Sequence, residues 1–228
     1  MRNFVVLTLV APMGAFGDLA GHERRGSWHW PGRSALLGLL GAALGVRRDD
    51  RAGQEALAIW QTAVEVLKIG PHWRDFHTVQ TVPSTRIKRP ATRRKALAAL
   101  QPKDNALITR RDYHSDCAFA VALWTKEESD EDAAALCKAL KRPAFIPYLG
   151  RKSCPLSAPM APQQVQAEDV PAALAQFKLP DFLPTPEPET ERLIASDEDL
   201  GDGRQETRWD TPLDRKKWHF SQRRVYLT

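Results

Sequence analysis

The sequence has few cysteines and no long hydrophobic segment, and both absences limit what kind of protein it can be. Its 228 residues include three cysteines, Cys117, Cys137 and Cys154, with no CxxC pair. An odd, widely spaced set argues against a disulfide framework and against a zinc ribbon. The longest apolar stretch, Ala35 to Val46, holds 12 residues and is too short to span a bilayer. No signal-peptide pattern follows Met1, so we expect a cytoplasmic protein that is not inserted in a membrane.

The sequence also lacks the common motifs of enzyme active sites. It contains no GxxxxGK[ST], GxGxxG, HExxH or GxSxG, which removes the usual starting points for nucleotide-binding enzymes, zinc proteases and serine hydrolases. Its six histidines are scattered, and none is spaced from a cysteine or carboxylate as metal ligands are. We therefore expect no metal, no cofactor and no catalytic residue.

Acidic residues are scarce outside one segment. The chain carries 33 Lys and Arg against 28 Asp and Glu, a net charge of +5, but Asp181 to Glu206 alone holds nine acidic and two basic residues. The remainder is therefore strongly basic, which favours a polyanionic partner. The acidic segment also contains three prolines, and this composition predicts a solvated loop at about 180–206. Such a loop could face a basic patch on a neighbouring subunit.

A run of cations stands in the middle of the chain. Thr85 to Lys95 has six Lys and Arg, one proline and no acid. A run of this kind cannot bury itself and is repelled by its own charge. Two interpretations remain open for it: a solvated arm, or a contact with nucleic acid.

The segment Pro147 to Leu156, PYLGRKSCPL, combines features that suit a turn laid against phosphates. Gly150 can adopt a positive φ and let another backbone approach closely. Arg151 and Lys152 supply a planar fork and a point charge, and Tyr148 offers a ring on which a base can stack. The alternative is an exposed turn that is merely basic, because glycine and proline mark turns in every protein.

The order of apolar segments predicts an α+β fold. Extended segments alternate with two helical ones, of which the first begins at Ser34 as its N-cap, and Gly14 to Arg33 is expected to be a loop. This order of elements, βαββαβ, is that of a ferredoxin-like domain. The RNA-recognition versions of that domain bind single-stranded RNA on the sheet face and nearby loops. The expected segments are strands at Phe4–Val10, Ala63–Ile69, Ala118–Trp124 and Ala144–Pro147, helices at Ser34–Val46 and Asp130–Leu140, and a further strand at Trp218–Leu227.

Four blocks of this sequence resemble the CRISPR-associated Cas five family, in the branch that serves the type I-E Cascade surveillance complex. They are APMGAFG, PGRSALLGLLGAALGVRRDD, DYHSDCAFAVALW and PYLGRKSCPL. The likeness covers roughly residues 1–160 and fades beyond them. It implies a ferredoxin-like (RRM-like), repeat-associated domain at 1–160, a thumb inserted at about 77–112, and a C-terminal extension at 161–228.

The resemblance also implies a function. Members of this branch hold the 5′ repeat-derived handle of CRISPR RNA, contact the backbone and large subunits of Cascade, meet target DNA only through the complex, and leave cleavage to another subunit. We expect the same of this chain, in antiviral defence. The predicted RNA-binding residues are Arg33, Arg86, Lys88, Arg89, Arg93, Arg94, Arg110, Arg111, Tyr148, Gly150, Arg151, Lys152 and Ser153.

Two other functions stay open at this point. Other branches of the family cut the repeat themselves, and metal-independent cleavage of RNA needs a general base and a general acid within hydrogen-bond reach. His77, Tyr113, His114 and Lys152 are the residues that could supply them. The second alternative is a general single-strand RNA chaperone, which would show a salt-dependent affinity without preference for a handle.

Overall fold

The computed structural model describes residues 1–21, 23–127, 130–183, 192–201 and 203–228. These residues form a mixed α and β fold with one mostly antiparallel sheet. The strands are β1 (Arg2–Gly14), β2 (Phe16–Ala20), β3 (Arg24–Trp28), β4 (Trp60–Lys68), β5 (His72–Gln80), β6 (Ala106–Thr125), β7 (Gln163–Ala167), β8 (Ile194–Ser196), β9 (Arg204–Asp214) and β10 (His219–Leu227). The helices are α1 (Arg33–Leu44), α2 (Arg51–Ala58), α3 (Arg93–Leu97), α4 (Asp130–Lys141) and α5 (Val170–Gln176).

Four antiparallel strands in the order β7-β1-β6-β4 form the centre of the sheet. Strands β1 and β6 are buried on both faces, as their continuous apolar runs FVVLTLV and AFAVALW predict. Leucines of α1 and α4 pack against one face of these strands, together with Leu7, Leu9 and Phe119. This packing confirms an α+β architecture. No described helix is long and apolar enough to cross a membrane.

The other face of the central strands is covered as well. Phe4, Val6 and Trp124 pack there against Val170 and Ala173 of α5. A base therefore cannot lie on this part of the sheet, where RNA-recognition domains leave the face open. Any RNA contact falls instead on the loops and on the part of the sheet that extends beyond the core.

A hairpin extends from the core between the second and third central strands. The first half of β6 leaves the core and pairs with β5 over His72↔His114 to Gln80↔Ala106, and a single short helix, α3, lies within the connecting residues 81–105. We call β5, residues 81–105 and the β6 segment 106–114 the arm. The thumb expected at about 77–112 stays a prediction; the cationic run 85–95 lies at the tip of this arm.

Three elements differ from the sequence-based expectation. The segment Ala144–Pro147 is not a strand, and β7 takes the fourth central position. Residues 14–33, expected to be a loop, form the β2–β3 hairpin, because β3 pairs with the arm at Arg24↔Arg110 and Arg25↔Arg111. Helix α1 is not capped by Ser34. Its N-cap is Gly32, and the carboxylate of Asp210 accepts the N–H of Arg33 at 2.7 Å.

The C-terminal region, expected to be an extension at 161–228, contributes strands β7 to β10 to the same sheet. Strand β8 pairs with β4 and with β10, and β10 pairs with β9. The acidic loop expected at 180–206 lies partly outside the described residues, at 184–191 and 202. Within the described part, Asp197 accepts hydrogen bonds from Arg33, Arg223 and the backbone N–H of Thr62. This carboxylate is therefore internal and cannot face a neighbouring subunit.

Candidate nucleic-acid interface

The segment 147–156 forms a closed turn that is fastened to the end of β1. Within it, the N–H of Leu149 donates to the carbonyl of Cys154 at 2.8 Å, and the N–H of Cys154 donates to the carbonyl of Arg151 at 2.8 Å. The N–H of Ala15 donates to the carbonyl of Leu149 at 3.2 Å. Leu149 and Cys154 are buried, so the core holds the base of the turn while Arg151 and Lys152 stand at its top.

Gly150 is required at this place for two physical reasons. Its φ of +86° lies in the left-handed region, where a residue with a Cβ is strained. A Cβ at this position would lie 1.8 Å from the carbonyl oxygen of Ala15. The turn can therefore lie against the backbone at Ala15 only because residue 150 has no side chain.

Arg151 does not extend freely into solvent. Its guanidinium lies 4.6 Å above the ring of Tyr113, and that ring also stacks on Trp73 at a centroid distance of 4.8 Å. The Nη1 atom of Arg151 is buried and has no hydrogen-bond acceptor among the described residues. An unpaired buried N–H is unusual in folded proteins. Because this atom is closed to solvent while the residue as a whole is half-buried, a phosphate can reach Arg151 only at its accessible side.

The other predicted residues of the turn are accessible. Tyr148 is 37% exposed, and Lys152 and Ser153 are exposed. Lys152 has no carboxylate partner within the part of the chain that the structure describes. The Oγ of Ser153 lies 3.9 Å from the Sγ of Cys154, which is a weak contact. The turn thus presents an aromatic ring, a cation and a hydroxyl on one small surface.

The predicted residues of the arm tip fall into two groups. Arg86 is paired with Asp104, and its guanidinium holds the pKa of that carboxyl below the ordinary value. Arg86 therefore ties residues 85–104 together instead of offering a free charge. The other four predicted cations of the tip, Lys88, Arg89, Arg93 and Arg94, are exposed, as is Lys95.

Arg110 and Arg111 lie on opposite faces of the arm, because side chains alternate along a strand. Arg110 is exposed and stands across from Phe76. Arg111 is half-buried, stands across from Asp75 and shares its face with Tyr113. The Arg111 side of the arm is therefore continuous with the stacked residues beneath the turn.

Arg33 was predicted to hold a phosphate, and its surroundings argue against that role. It is 7% exposed. Its guanidinium donates to the carboxylate of Asp197 at 2.5 Å and to the carbonyl of Ala58 at 2.8 Å. Because those contacts place it inside the protein, an RNA strand cannot reach it. Its partner comes from a segment 164 residues away, so the sequence pattern gave no sign of this pairing.

Sequence reasoning also missed a cluster of charged residues at the base of the arm. Asp112 is buried there and accepts hydrogen bonds from Arg24 at 3.0 and 3.1 Å and from Arg74 at 2.6 and 3.1 Å. The Arg74 guanidinium holds the pKa of Asp112 far below its usual range. These contacts join β3, β5 and β6, so they fix the direction of the arm. Because HWRDFHTVQ has no alternating apolar face, no local signal indicated strand β5 or this cluster.

Two of the candidates for cleavage chemistry, His77 and Tyr113, are too far apart to act on one phosphate. His77 and Tyr113 share one face of the arm but are four residues apart in register, about 13 Å along the strands. The Nε2 of His77 lies 2.5 Å from the Oδ2 of Asp75, and Tyr113 is buried between its neighbours. His114 is buried also, and this burial lowers its pKa.

Buried thiols offer no alternative chemistry. Burial raises the pKa of the Cys117 thiol to about 12, so this sulfur stays protonated at neutral pH and is a poor nucleophile or metal ligand. In the ranges that the structure describes, no group of three His, Cys, Asp or Glu side chains could hold a metal ion. The groups that the 147–156 turn and the arm offer to a partner are therefore cations and aromatic rings.

Comparison with known proteins places this surface in context. A family model described as "CRISPR-associated protein (Cas_Cas5)" matches residues 4–226. The CRISPR system Cascade subunit CasD of Escherichia coli (strain K12) is 34% identical to this chain over 187 residues, which cover 78% of each protein.

Two solved structures share the fold. A chain of a structure described as "CRISPR RNA-guided surveillance complex" superposes with a TM-score of 0.72 at 25% identity, covering 99% of this chain and 89% of that one. A second, described as "Crystal structure of Cas protein", has a TM-score of 0.62 at 26% identity and covers 99% of this chain and 93% of the other.

Proposed function

This chain belongs to the CRISPR-associated Cas5 family, and we propose that it is a non-catalytic subunit of a Cascade-type surveillance complex that holds the 5′ repeat-derived handle of CRISPR RNA. The name of its Escherichia coli relative, a Cascade subunit, and its structural similarity to a chain of an RNA-guided surveillance complex support this assignment. The chain would cap one end of the backbone of the complex in the cytoplasm.

The expected neighbours follow from the same proposal. They are the handle of the RNA, the backbone subunit and the large subunit, with target DNA met only through the assembled complex. The strand order β7-β1-β6-β4, with α1 and α4 on one face, supports a ferredoxin-like domain as its core. The arm would be its thumb.

One observation carries the RNA-binding proposal. The half-buried Arg151 is held over Tyr113 by a turn whose backbone is bonded to the end of β1. A guanidinium fixed in this way is pre-organised for a phosphate oxygen, because it loses little freedom when it binds. Lys152 and Tyr148 stand beside it to contact a second phosphate and a base.

The separation of the candidate acid and base supports binding without cleavage. Strand cleavage needs both groups at one phosphate, whereas His77 and Tyr113 are about 13 Å apart along the arm. We expect purified protein mixed with repeat RNA in EDTA to leave the RNA intact. A single cut that is lost in His77→Ala would instead establish the metal-independent endoribonuclease.

Replacing Arg151 tests the binding site. We expect Arg151→Ala to weaken binding of handle RNA by about 1.5 to 3 kcal/mol, the usual contribution of a hydrogen bond to a charged group. Arg151→Lys should recover only part of this, because an ammonium lacks the planar fork. The measurement is a titration of labelled RNA with the full chain, and a strand of scrambled handle sequence distinguishes handle binding from a general RNA chaperone.

Lys138→Ala is the matched control, since Lys138 is an exposed cation on α4 that forms no ion pair within the described ranges. Its affinity should equal that of the wild type. Equal affinities of Arg151→Ala and the wild type would remove Arg151 from the interface.

A further inference from the structure

The turn between β9 and β10 places a tryptophan in a conformation that this residue rarely adopts. Trp218 has a φ of +57°, which belongs to the left-handed region where glycine and asparagine are usual. The residue is 56% exposed, so burial in the core does not compensate for the strain. Its ring contacts Phe220 at a centroid distance of 6.1 Å and Arg48 at 4.3 Å. An exposed, strained aromatic residue is typical of a functional position.

Arg48 lies over this ring, and Arg215 belongs to the same turn and lines one cleft with Arg48. In the residues that the structure describes, neither Arg48 nor Arg215 has a carboxylate oxygen within 4.0 Å. Arg215 is half-buried, donates to the carbonyl of Ser34 at 2.7 Å and lies against α1 at Gly38, where there is no side chain to displace it. Burial lowers the pKa of Arg215, and the charge of Arg48 lowers it further. An anion bound here would relieve both effects.

The same turn adds cations and fixes their positions. Lys216 and Lys217 are exposed, and their backbone N–H groups donate to the carboxylate of Asp214 at 2.9 and 3.0 Å. These bonds hold the turn in shape while leaving both ammonium groups free to meet a partner. Arg215 lies against α1 at Gly38, and the residues just before the 147–156 turn bond to the same helix at Ala42 and Ala43. The residues around Trp218 and the 147–156 turn therefore both lie along α1.

We propose that Trp218, Arg48 and Arg215 form a second contact site for single-stranded RNA, at which a base stacks on the indole and a phosphate binds between the two guanidinium groups. The site rests on the proposed function, since it would extend the path of the same RNA beyond Tyr148. Cations and an accessible ring on one surface are the features by which proteins bind single strands with little sequence preference. The cleft that Arg48 and Arg215 line also contains Asp49, Glu55 and Asp214, but cations outnumber carboxylates there, which favours RNA over an apolar protein segment.

The test measures binding of labelled handle RNA to the full chain and to three variants. Trp218→Asn removes the ring but keeps a residue that tolerates a positive φ, so we expect roughly tenfold weaker binding with no fall in the thermal unfolding midpoint. Trp218→Phe should bind nearly as well as the wild type. The double variant Arg48→Gln, Arg215→Gln should lower the slope of log affinity against log salt by about 0.7, for the one phosphate of a single strand that the two guanidinium groups share.

The control is Lys138→Gln, Lys178→Gln, which removes two exposed cations elsewhere and should leave the affinity for this RNA and its salt slope unchanged. If Arg151→Ala weakens binding while Trp218→Asn and the double variant bind like the wild type, the second site is wrong and the proposed function stands. If the wild type shows no preference for handle RNA, the proposed function itself fails. Loss of a protein subunit from the complex with unchanged RNA affinity would assign the site to a protein partner and overturn the proposal.

Discussion

Gly150 shows how one residue determines where a cation stands. We expect Gly150→Ala to lower the free energy of unfolding by about 2 to 5 kcal/mol, from the left-handed backbone and the clash with Ala15 together. Gly201→Ala is the matched control, because Gly201 also has a positive φ, +94°, but open space around it. Urea unfolding of both variants separates the two causes. Equal losses would mean that the contact with Ala15 contributes nothing.

Asp112 is the residue whose charge should make stability depend on pH. Its pKa is lowered by Arg74, so its contribution is complete above the unfolded pKa of about 3.9 and is lost as the pH falls toward the folded value. We expect Asp112→Asn to lower the free energy of unfolding by about 3 kcal/mol at pH 7. The difference in this free energy between the variant and the wild type should shrink below about pH 4. Denaturant titrations at several pH values measure it.

Glu55→Gln serves as the control for Asp112→Asn, because the pair of Glu55 with Arg51 is exposed and should contribute less than about 0.5 kcal/mol. A gap between Asp112→Asn and the wild type that persists unchanged at acid pH would show that shape, and not charge, fixes the base of the arm.

At the scale of elements, the cations at the tip of the arm can be replaced without disturbing the core. Replacing Lys88, Arg89 and Arg94 by Gln should leave the fold intact, since these side chains are exposed. If each contacts one phosphate of a single strand, the salt slope should fall by about 2. Arg86→Gln is the contrasting variant, because it breaks the pair with Asp104 and should loosen the tip. An unchanged slope in the triple variant would make the tip a solvated arm.

Elements whose apolar runs bury themselves could be predicted from the sequence. Strands β1 and β6 and helix α4 appear where FVVLTLV, AFAVALW and DEDAAALCKAL indicate them. Elements fixed by distant partners could not. Strand β5 has no apolar face and exists because it pairs with β6, and the N-terminus of α1 is capped by Asp210, 177 residues away.

The candidate site also has one part that could be predicted from the sequence and another that could not. A glycine before two cations was enough to predict the 147–156 turn, because only glycine suits that backbone. The stack of Arg151, Tyr113 and Trp73 depends on three separate segments, and no local pattern encodes it. Arg33 was misassigned for the same reason, since its carboxylate partner is remote in sequence.

At the scale of the whole molecule, the C-terminal region is part of the architecture that positions the surface. Strand β8 lies between β4 and β10, and Asp197 and Asp210 from this region bind Arg33 and the start of α1. The C-terminal region therefore holds α1 in place beneath the 147–156 turn, whose preceding residues bond to that helix at Ala42 and Ala43. Buried ion pairs of Asp197 with Arg33 and with Arg223 join the acidic segment to the rest of the fold.

The most direct test of the central claim is to crosslink this chain to RNA within its assembled complex and to sequence the crosslinked RNA. The proposed function predicts that reads map to one constant, repeat-derived 5′ segment, and that Arg151→Ala lowers their yield. Crosslinks spread over variable guide sequence, or RNA with random 5′ ends, would contradict it.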